Sequence, residues 1–532
     1  QKEISMGCHC GKWLKPLAQR DTYEIRKMCG NAPIMAAGGI NAALGGDDSP
    51  AQHAEDTLKS GGDVAGAEAV SGLCAAAPEI LRWLESLGVV FTRNENGEVA
   101  LRAFGGQSRN RTAYAGASTG KQIMTALIRE ARKYESREVI HRMLGRYFHS
   151  ALIQDGKCYG ALLYNQNTRQ LEEVYTDAVV VASGGQNLLF GKTTGSTQCD
   201  GYVAAKLYEQ GARLKNLEFI QYHPTTLETP QKRMLISEAA RGEGGRLYYM
   251  ENGRRVYFME DLYGERGNLM PRDIVSKCIY SAPSQVYLDI AFLSNDHIHS
   301  RLREVAEVCS KYADLDVTRE SIPVYPSVHF FMGGLYVDSC HKTTIDHLYA
   351  IGECASRYHG ANRLGGNSLL AAIYSGKVAA NAIDDSPKPD AAPDFGPYIA
   401  EQEKRLEERL ASKSRFSAVY IRYELVKLMK DCLGVVRTEK KLVEGIESVD
   451  YYLSISEKLV YDADVSAYVS YSLRPLLLLA RAILTSALAR KESRGAHIRE
   501  DYPQRSTEYD YCSICDYQNG EHRVSFETED EQ

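Results

Sequence analysis

Apolar residues recur at helical spacing from Ala67 to Leu87 and again from Gly120 to Tyr134. Ahead of them, Ile40 to Ala43, followed by Gly45 and Gly46, predicts a glycine-flanked loop entering a helix. Alternation from Gly160 to Tyr164 predicts a strand, and the run DAVVVASGG, Asp177 to Gly185, a buried strand ending in a turn. Strands alternating with helices point to an α/β nucleotide-binding domain of Rossmann-like type. From Leu217 to Pro326 the pattern becomes shorter and more mixed, as an inserted α+β capping domain requires, and Asp346 to Glu353 returns to the earlier apolar style. The proline- and aspartate-rich stretch from Asp384 to Pro397 reads as a linker. Beyond it Tyr398 to Lys491 is almost continuously helical, and the tail holds one hairpin about Asn519 and Gly520. The expected organisation is a nucleotide-binding domain over 1–216 and 327–387, a cap over 217–326, a helical domain over 398–491 and a tail over 492–532.

Composition narrows this picture without changing it. A chain of 532 residues is too long for one core, so two to four domains are expected. Sixty-three basic against 69 acidic side chains leave a net charge of −6, which offers no general attraction to nucleic acid. The longest apolar run, about Pro475 to Leu488, is interrupted by Arg481 and reads as a buried helix, so no direct membrane insertion is expected. The opening QKEISMGCHCGKW lacks the apolar core of a signal peptide. Thirteen cysteines without regular spacing suit a reducing compartment. The pairs Cys8/Cys10 and Cys512/Cys515 each lack a second pair for a four-ligand metal site, and are expected to be free thiols in flexible ends.

The candidate chemistry lies in four segments: QYHPT at Gln221 to Thr225, ISEAARGEGG at Ile236 to Gly245, MPRDIVSK at Met270 to Lys277, and SVHFFMGG at Ser327 to Gly334. A fifth, HGANRLGGNSLL from His359 to Leu370, sets Arg363 among small residues that allow close backbone approach. Arginine forks with histidine and hydroxyl donors are the groups that hold carboxylates. From about Met35 onward this order of motifs resembles the flavoprotein subunits of succinate dehydrogenase and fumarate reductase, with L-aspartate oxidase the nearest relative.

The resemblance implies an FAD-dependent interconversion of fumarate and succinate. It carries substrate contacts onto His223, Ser237, His329, Arg363, Phe104 and Gly105, a proton donor onto Arg272, and a relay onto Glu238 and Arg241. It carries cofactor contacts onto Ala37, Gly38, Gly39, Ala182, Gly184, Asp200, Glu353, Ser368 and Leu369, the last two through backbone amides that would face the pyrimidine edge of the flavin ring. Gln107 is expected nearby, while His53, His341 and His359 are read only as loop or supporting positions. It also implies electron exchange with an iron–sulfur partner subunit, and a cytoplasmic chain held at the inner face of the cell membrane only through partners.

Three departures matter. Ala32 stands where respiratory members attach FAD through a histidine, so non-covalent FAD and mainly reductive work are expected. Cys199 replaces the first glycine of a Gly-Asp-Gly turn. Residues Gln1 to Asn31 show neither GxGxxG nor a clear buried strand. Either the first βαβ unit is replaced, or this stretch of sequence is not that of the working chain, or flavin binding is damaged. L-aspartate oxidase and a catalytically inactive paralogue stay open as alternatives.

Overall fold

In the computed structural model the described residues are 2–7, 21–26, 36, 38–116, 118–230, 232–411, 417–456 and 467–528; for 2–7, 21–26, 410 and 470 this covers the backbone alone. Ala32, Ala37, Cys8 and Cys10 lie outside them. A parallel sheet runs in the order Leu348–Ala350, Ala178–Ala182, Lys2–Gly7, Asp21–Arg26, Ile140–Leu144. This corrects the expectation of no strand near the N-terminus. Lys2–Gly7 is the central strand, pairing Met6 with Val181 and Gly7 with Ala182. KEISMG alternates polar and apolar residues and lacks the continuous apolar run that marks a central parallel strand, so its place comes from pairing on both sides. Helices Ala67–Ser86, Thr119–Glu135 and Asn367–Asp385 fall where the apolar periodicity puts two of the three.

The cap is built on a six-stranded antiparallel sheet in the order Arg233–Leu235, Ile220–Glu228, Ile322–Phe331, Val286–Asp289, Arg246–Glu251, Arg254–Val256. Its two long strands, Ile220–Glu228 and Ile322–Phe331, carry the chain into and out of this region. They pair with bulges near His223, where the ladder is interrupted by Pro224.

Helices Gly396–Ala411, Ala418–Cys432, Glu439–Ser456 and Ala467–Ala489 follow. Ala467–Ala489 is, among the described residues, the helix long and apolar enough to cross a membrane, but most of its apolar length is buried in the fold. Leu476, Leu477, Leu479, Ile483 and Leu484 all lie in the main core, and Arg481 leaves it to pair with Asp450. The charge that interrupts the run therefore marks the exposed edge of a core helix.

The tail is structural rather than loose. Strands Cys512–Gln518 and Glu521–Glu527 form the expected hairpin, with Asn519 and Gly520 both at positive φ as a tight two-residue turn demands. Leu214 pairs with Cys515, so the hairpin extends a sheet shared with the nucleotide-binding region. Cys512 and Cys515 are accordingly buried, which corrects their reading as thiols in a flexible end. Buried Arg490 binds Glu218 at 2.6 Å and Glu492 at 3.0 Å. Arg494 binds Glu492 at 2.7 Å and donates to the Gly62 carbonyl. Next to it, the Ala496 amide donates to the Ala361 carbonyl at 2.9 Å.

Candidate active site

The strand Ile220–Glu228 supplies Gln221 and His223, two residues apart and so on one face. The paired strand Ile322–Phe331 supplies His329, whose ring centre lies 5.1 Å from that of His223. His329 Nδ1 is 2.7 Å from the Thr194 hydroxyl, and His223 Nδ1 faces the Thr225 carbonyl at 3.1 Å. Burial and then Arg272 hold both histidines well below the usual imidazole range, so both are neutral.

Helix Arg272–Tyr280 begins at Arg272, with Pro271 as its cap. A guanidinium there opposes the positive end of the helix dipole, and Glu238 offsets this. Arg272 reaches Glu238 Oε2 from Nη2 at 2.6 Å and Nε at 3.0 Å, and donates from Nη1 to Gln221 Oε1 at 3.0 Å. Glu238 accepts from Arg241 at 2.9 Å and from the Gly105 amide at 3.2 Å. Burial pushes its carboxyl up, but Arg272 and Arg241 and the bonds from Arg272 and Gly105 outweigh that and hold it at about 2. The approach of Gly105 is close: a Cβ there would sit 2.6 Å from Glu238 Oε1. Phe104 is buried beside Gly38, and Ser237 Oγ accepts from the Ala239 amide at 3.3 Å.

Arg363 completes the group. Its guanidinium carbon lies 4.2 Å from the Phe330 ring centre, and it is 3% exposed. Its Nε is buried with no hydrogen-bond partner among the described residues. Burial, and then Arg272, hold Arg363 well below the usual arginine range. Arg241 and Arg272 thus share Glu238 as their directly paired carboxylate, and Arg363 has no ion pair with a carboxylate among the described residues.

Several of the positions expected to contact the cofactor lie toward the carboxyl end of the parallel sheet, where open α/β sheets bind ligands. Ala182 ends its strand, and Gly184 follows at φ +75°. A Cβ on Gly185 would lie 2.6 Å from Glu353 Oε1. Glu353 accepts from the Phe331 amide at 3.2 Å, and burial raises its carboxyl to about 7. Gly39, at φ +140°, packs so tightly on Ala113 that a Cβ would reach its carbonyl at 2.5 Å. Ser368 and Leu369 stand in the first turn of Asn367–Asp385, whose cap Gly366 adopts φ +87°. Asp200 faces elsewhere: its carboxylate takes the Tyr202 amide at 3.1 Å, Arg422 at 3.4 Å and the Tyr468 hydroxyl. Gln107 binds Asn41, Thr112 and the Gly365 carbonyl, linking loops. Gln221 was missed by motif reading, although the two-residue strand period from His223 marks it.

A family model for an FAD binding domain matches residues 27–369, and one for the fumarate reductase flavoprotein C-terminus matches 422–531. The chain belongs to the succinate dehydrogenase/fumarate reductase flavoprotein family. It is 35% identical to a succinate dehydrogenase flavoprotein subunit of Bacillus subtilis, covering 89% of this chain and 85% of the relative. It is 34% identical to an L-aspartate oxidase of Nostoc, covering 91% and 87%. A quinol fumarate reductase structure from E. coli superposes with a TM-score of 0.89 at 27% identity, over 99% of this chain and 96% of that one.

The protein is an FAD-binding flavoprotein oxidoreductase, and the residues described fit that cofactor. Glycines without side-chain bulk line the sheet end, and Glu353 is a half-buried acceptor for hydroxyl groups with no paired cation among the described residues. Glu353 yields a prediction for the flavin-free chain. Because its folded-state pKa is raised, its proton favours the folded state fully below about 4.5 and loses that effect as pH rises through about 7. Stability should fall by up to about 3 kcal/mol across this window, and Glu353→Gln should flatten the fall in thermal unfolding scans.

Proposed function

We propose that the flavoprotein interconverts fumarate and succinate with non-covalent FAD, working mainly in the reductive direction and exchanging electrons with an iron–sulfur partner subunit. The observation that carries the reading is the charge of the site. Arg241 and Arg272 are buried against Glu238, buried Arg363 feels the charge of Arg272, and Arg363 Nε lacks a partner among the described residues. A buried excess of cations is costly until an anion neutralises it, and a small dianion fits that need.

FAD, when bound, supplies the hydride at N5 for one alkene carbon of fumarate. Arg363 clamps one carboxylate through its fork, and His223, His329 and Ser237 offer neutral donors for the other. The neutral state of both histidines lets them donate without adding charge. Phe104 and Gly105 close the wall and exclude water. Arg272 gives its proton to the second alkene carbon, which is carbanion-like as hydride arrives and so basic enough to take it. Glu238, bonded to both Arg272 and Arg241, then passes a proton from Arg241 back to Arg272. Its low pKa keeps it ionised between turnovers, so it acts as a relay and not as a store.

The name of the Bacillus relative, a flavoprotein subunit, supports work within a complex. The iron–sulfur partner, with any anchor subunits, would hold the chain at the inner face of the membrane. The comparable identity to an L-aspartate oxidase favours a second reading, the oxidation of L-aspartate.

Fumarate reduction with a reduced dye as donor should greatly exceed L-aspartate oxidation; the reverse ratio selects the oxidase. Acid precipitation should release all FAD to the supernatant, and flavin retained on the pellet refutes the non-covalent assignment. Arg272→Lys should keep its flavin but lose about 10²–10⁴ in turnover. Arg363→Ala should weaken dicarboxylate binding about 10–100-fold in titrations of flavin absorbance.

A further inference from the structure

The helix Pro50–Ser60 presents an unusual interior face. His53, Asp56, Thr57 and Ser60 fall at i, i+3, i+4 and i+7, the positions an amphipathic helix normally fills with apolar residues. Each is spent on a loop of the active site. Ser60 donates to the Asn362 carbonyl at 3.1 Å, beside Arg363. Asp56 accepts from Ser108 at 2.7 and 2.8 Å, at the end of the wall loop, and from Arg111 at 2.5 Å. Thr57 accepts from Asn367 Nδ2 at 3.0 Å, and His53 Nε2 lies 2.9 Å from Asn367 Oδ1.

Asn367 is fully buried and opens the helix that carries Ser368 and Leu369. Its Oδ1 also accepts from Asn41 Nδ2 at 2.8 Å, and Asn41 donates to the Gly365 carbonyl at 2.7 Å. Since Asn367 Nδ2 is given to Thr57, its Oδ1 must be the acceptor toward His53. That fixes the tautomer: His53 carries its proton on Nε2, and Nδ1 is left buried with no partner among the described residues. Burial holds the ring at about 4 against the bond from Asn367, so it stays neutral at physiological pH. The Asn367 amide bonds the Leu364 carbonyl at 3.3 Å and no side chain caps the helix start, which leaves the amides of Ser368 and Leu369 to a ligand.

We propose that His53 and Asn367 are positioning residues that aim the first-turn amides of Ser368 and Leu369 at the flavin and so raise its affinity for electrons. This rests on the assignment of those amides to the pyrimidine edge of the ring. Negative charge gathers at that edge on reduction, and helix-start amides stabilise it only when the first turn is held in place. His53 and Thr57 hold that turn from behind, through one amide side chain that has no rotational freedom left.

The experiment uses the full-length FAD-loaded protein without dicarboxylate, and measures reduction potential by equilibration with a reference dye, FAD dissociation constant and melting temperature. His53→Gln keeps an N–H for Asn367 and should retain the wild-type potential. His53→Leu should lower the potential and weaken FAD binding at least tenfold. Asn367→Asp, isosteric but charged, should lower the potential further, and serves as the second probe if His53→Leu does not fold. A lowered melting temperature with wild-type potential in the FAD-loaded fraction of both His53→Leu and Asn367→Asp would make the row merely structural and overturn the proposal. Because no dicarboxylate is present, the result does not depend on fumarate being the substrate. Wild-type protein loaded with 2-thio-FAD tests the ring orientation separately: resistance to a thiol-alkylating reagent supports it, and rapid alkylation overturns it together with the proposal.

Discussion

Two guanidinium groups share one buried carboxylate, and most of the site is arranged around that arrangement of charge. Glu238 receives Arg272, Arg241 and the Gly105 amide at once, which ties a cap helix, the short helix Ala239–Gly242 and the wall loop to a single side chain. Ion pairs this deep repay their desolvation only when every lone pair is used. The glycine at 105 and that at 365, whose Cβ would meet Glu238 Oε2 at 2.7 Å, are the steric condition for that fit. The charge left over on Arg363 is what a ligand must neutralise.

The second theme is how loops without regular structure become rigid. Asn41, Gln107, Thr112 and Asn367 form a buried polar lattice in which side-chain amides replace the missing backbone ladders. A helix with a polar interior face backs it, so the core on this side is specified by hydrogen bonds where an apolar core would allow sliding. Arg111, paired with both Asp48 and Asp56, anchors the same face.

Much of this was legible in the chain. Arg272, Glu238, Arg241 and Arg363 lie in short glycine-punctuated motifs, and the structure brings all four together. The long helices and the final hairpin follow from periodicity and an Asn-Gly pair. Other parts were not legible, for physical reasons. Lys2–Gly7 owes its central place to pairing with Ala178–Ala182, far along the chain, as well as with Asp21–Arg26, and no local pattern encodes the first. His53 is expected only as a loop or supporting position, because the sequence of the helix shows which residues share a face but not what that face meets. The orientation of Asp200 toward Tyr468 likewise depends on a helix far along the sequence.

The tail described above has a bearing on how the protein comes into being. Arg494 holds the Gly62 carbonyl across 432 residues of sequence, and Ala496 holds the Ala361 carbonyl just ahead of Arg363. A ribosome delivers these anchors after the sheet, the cap and the helices up to Ala489 have had time to form. The loop that carries Arg363 is therefore tied down only once Ala496 has been made, and a chain that stops before it carries its apolar core without that tie. Residues made late thus become a condition for settling a loop made early, built into the topology without any separate checkpoint.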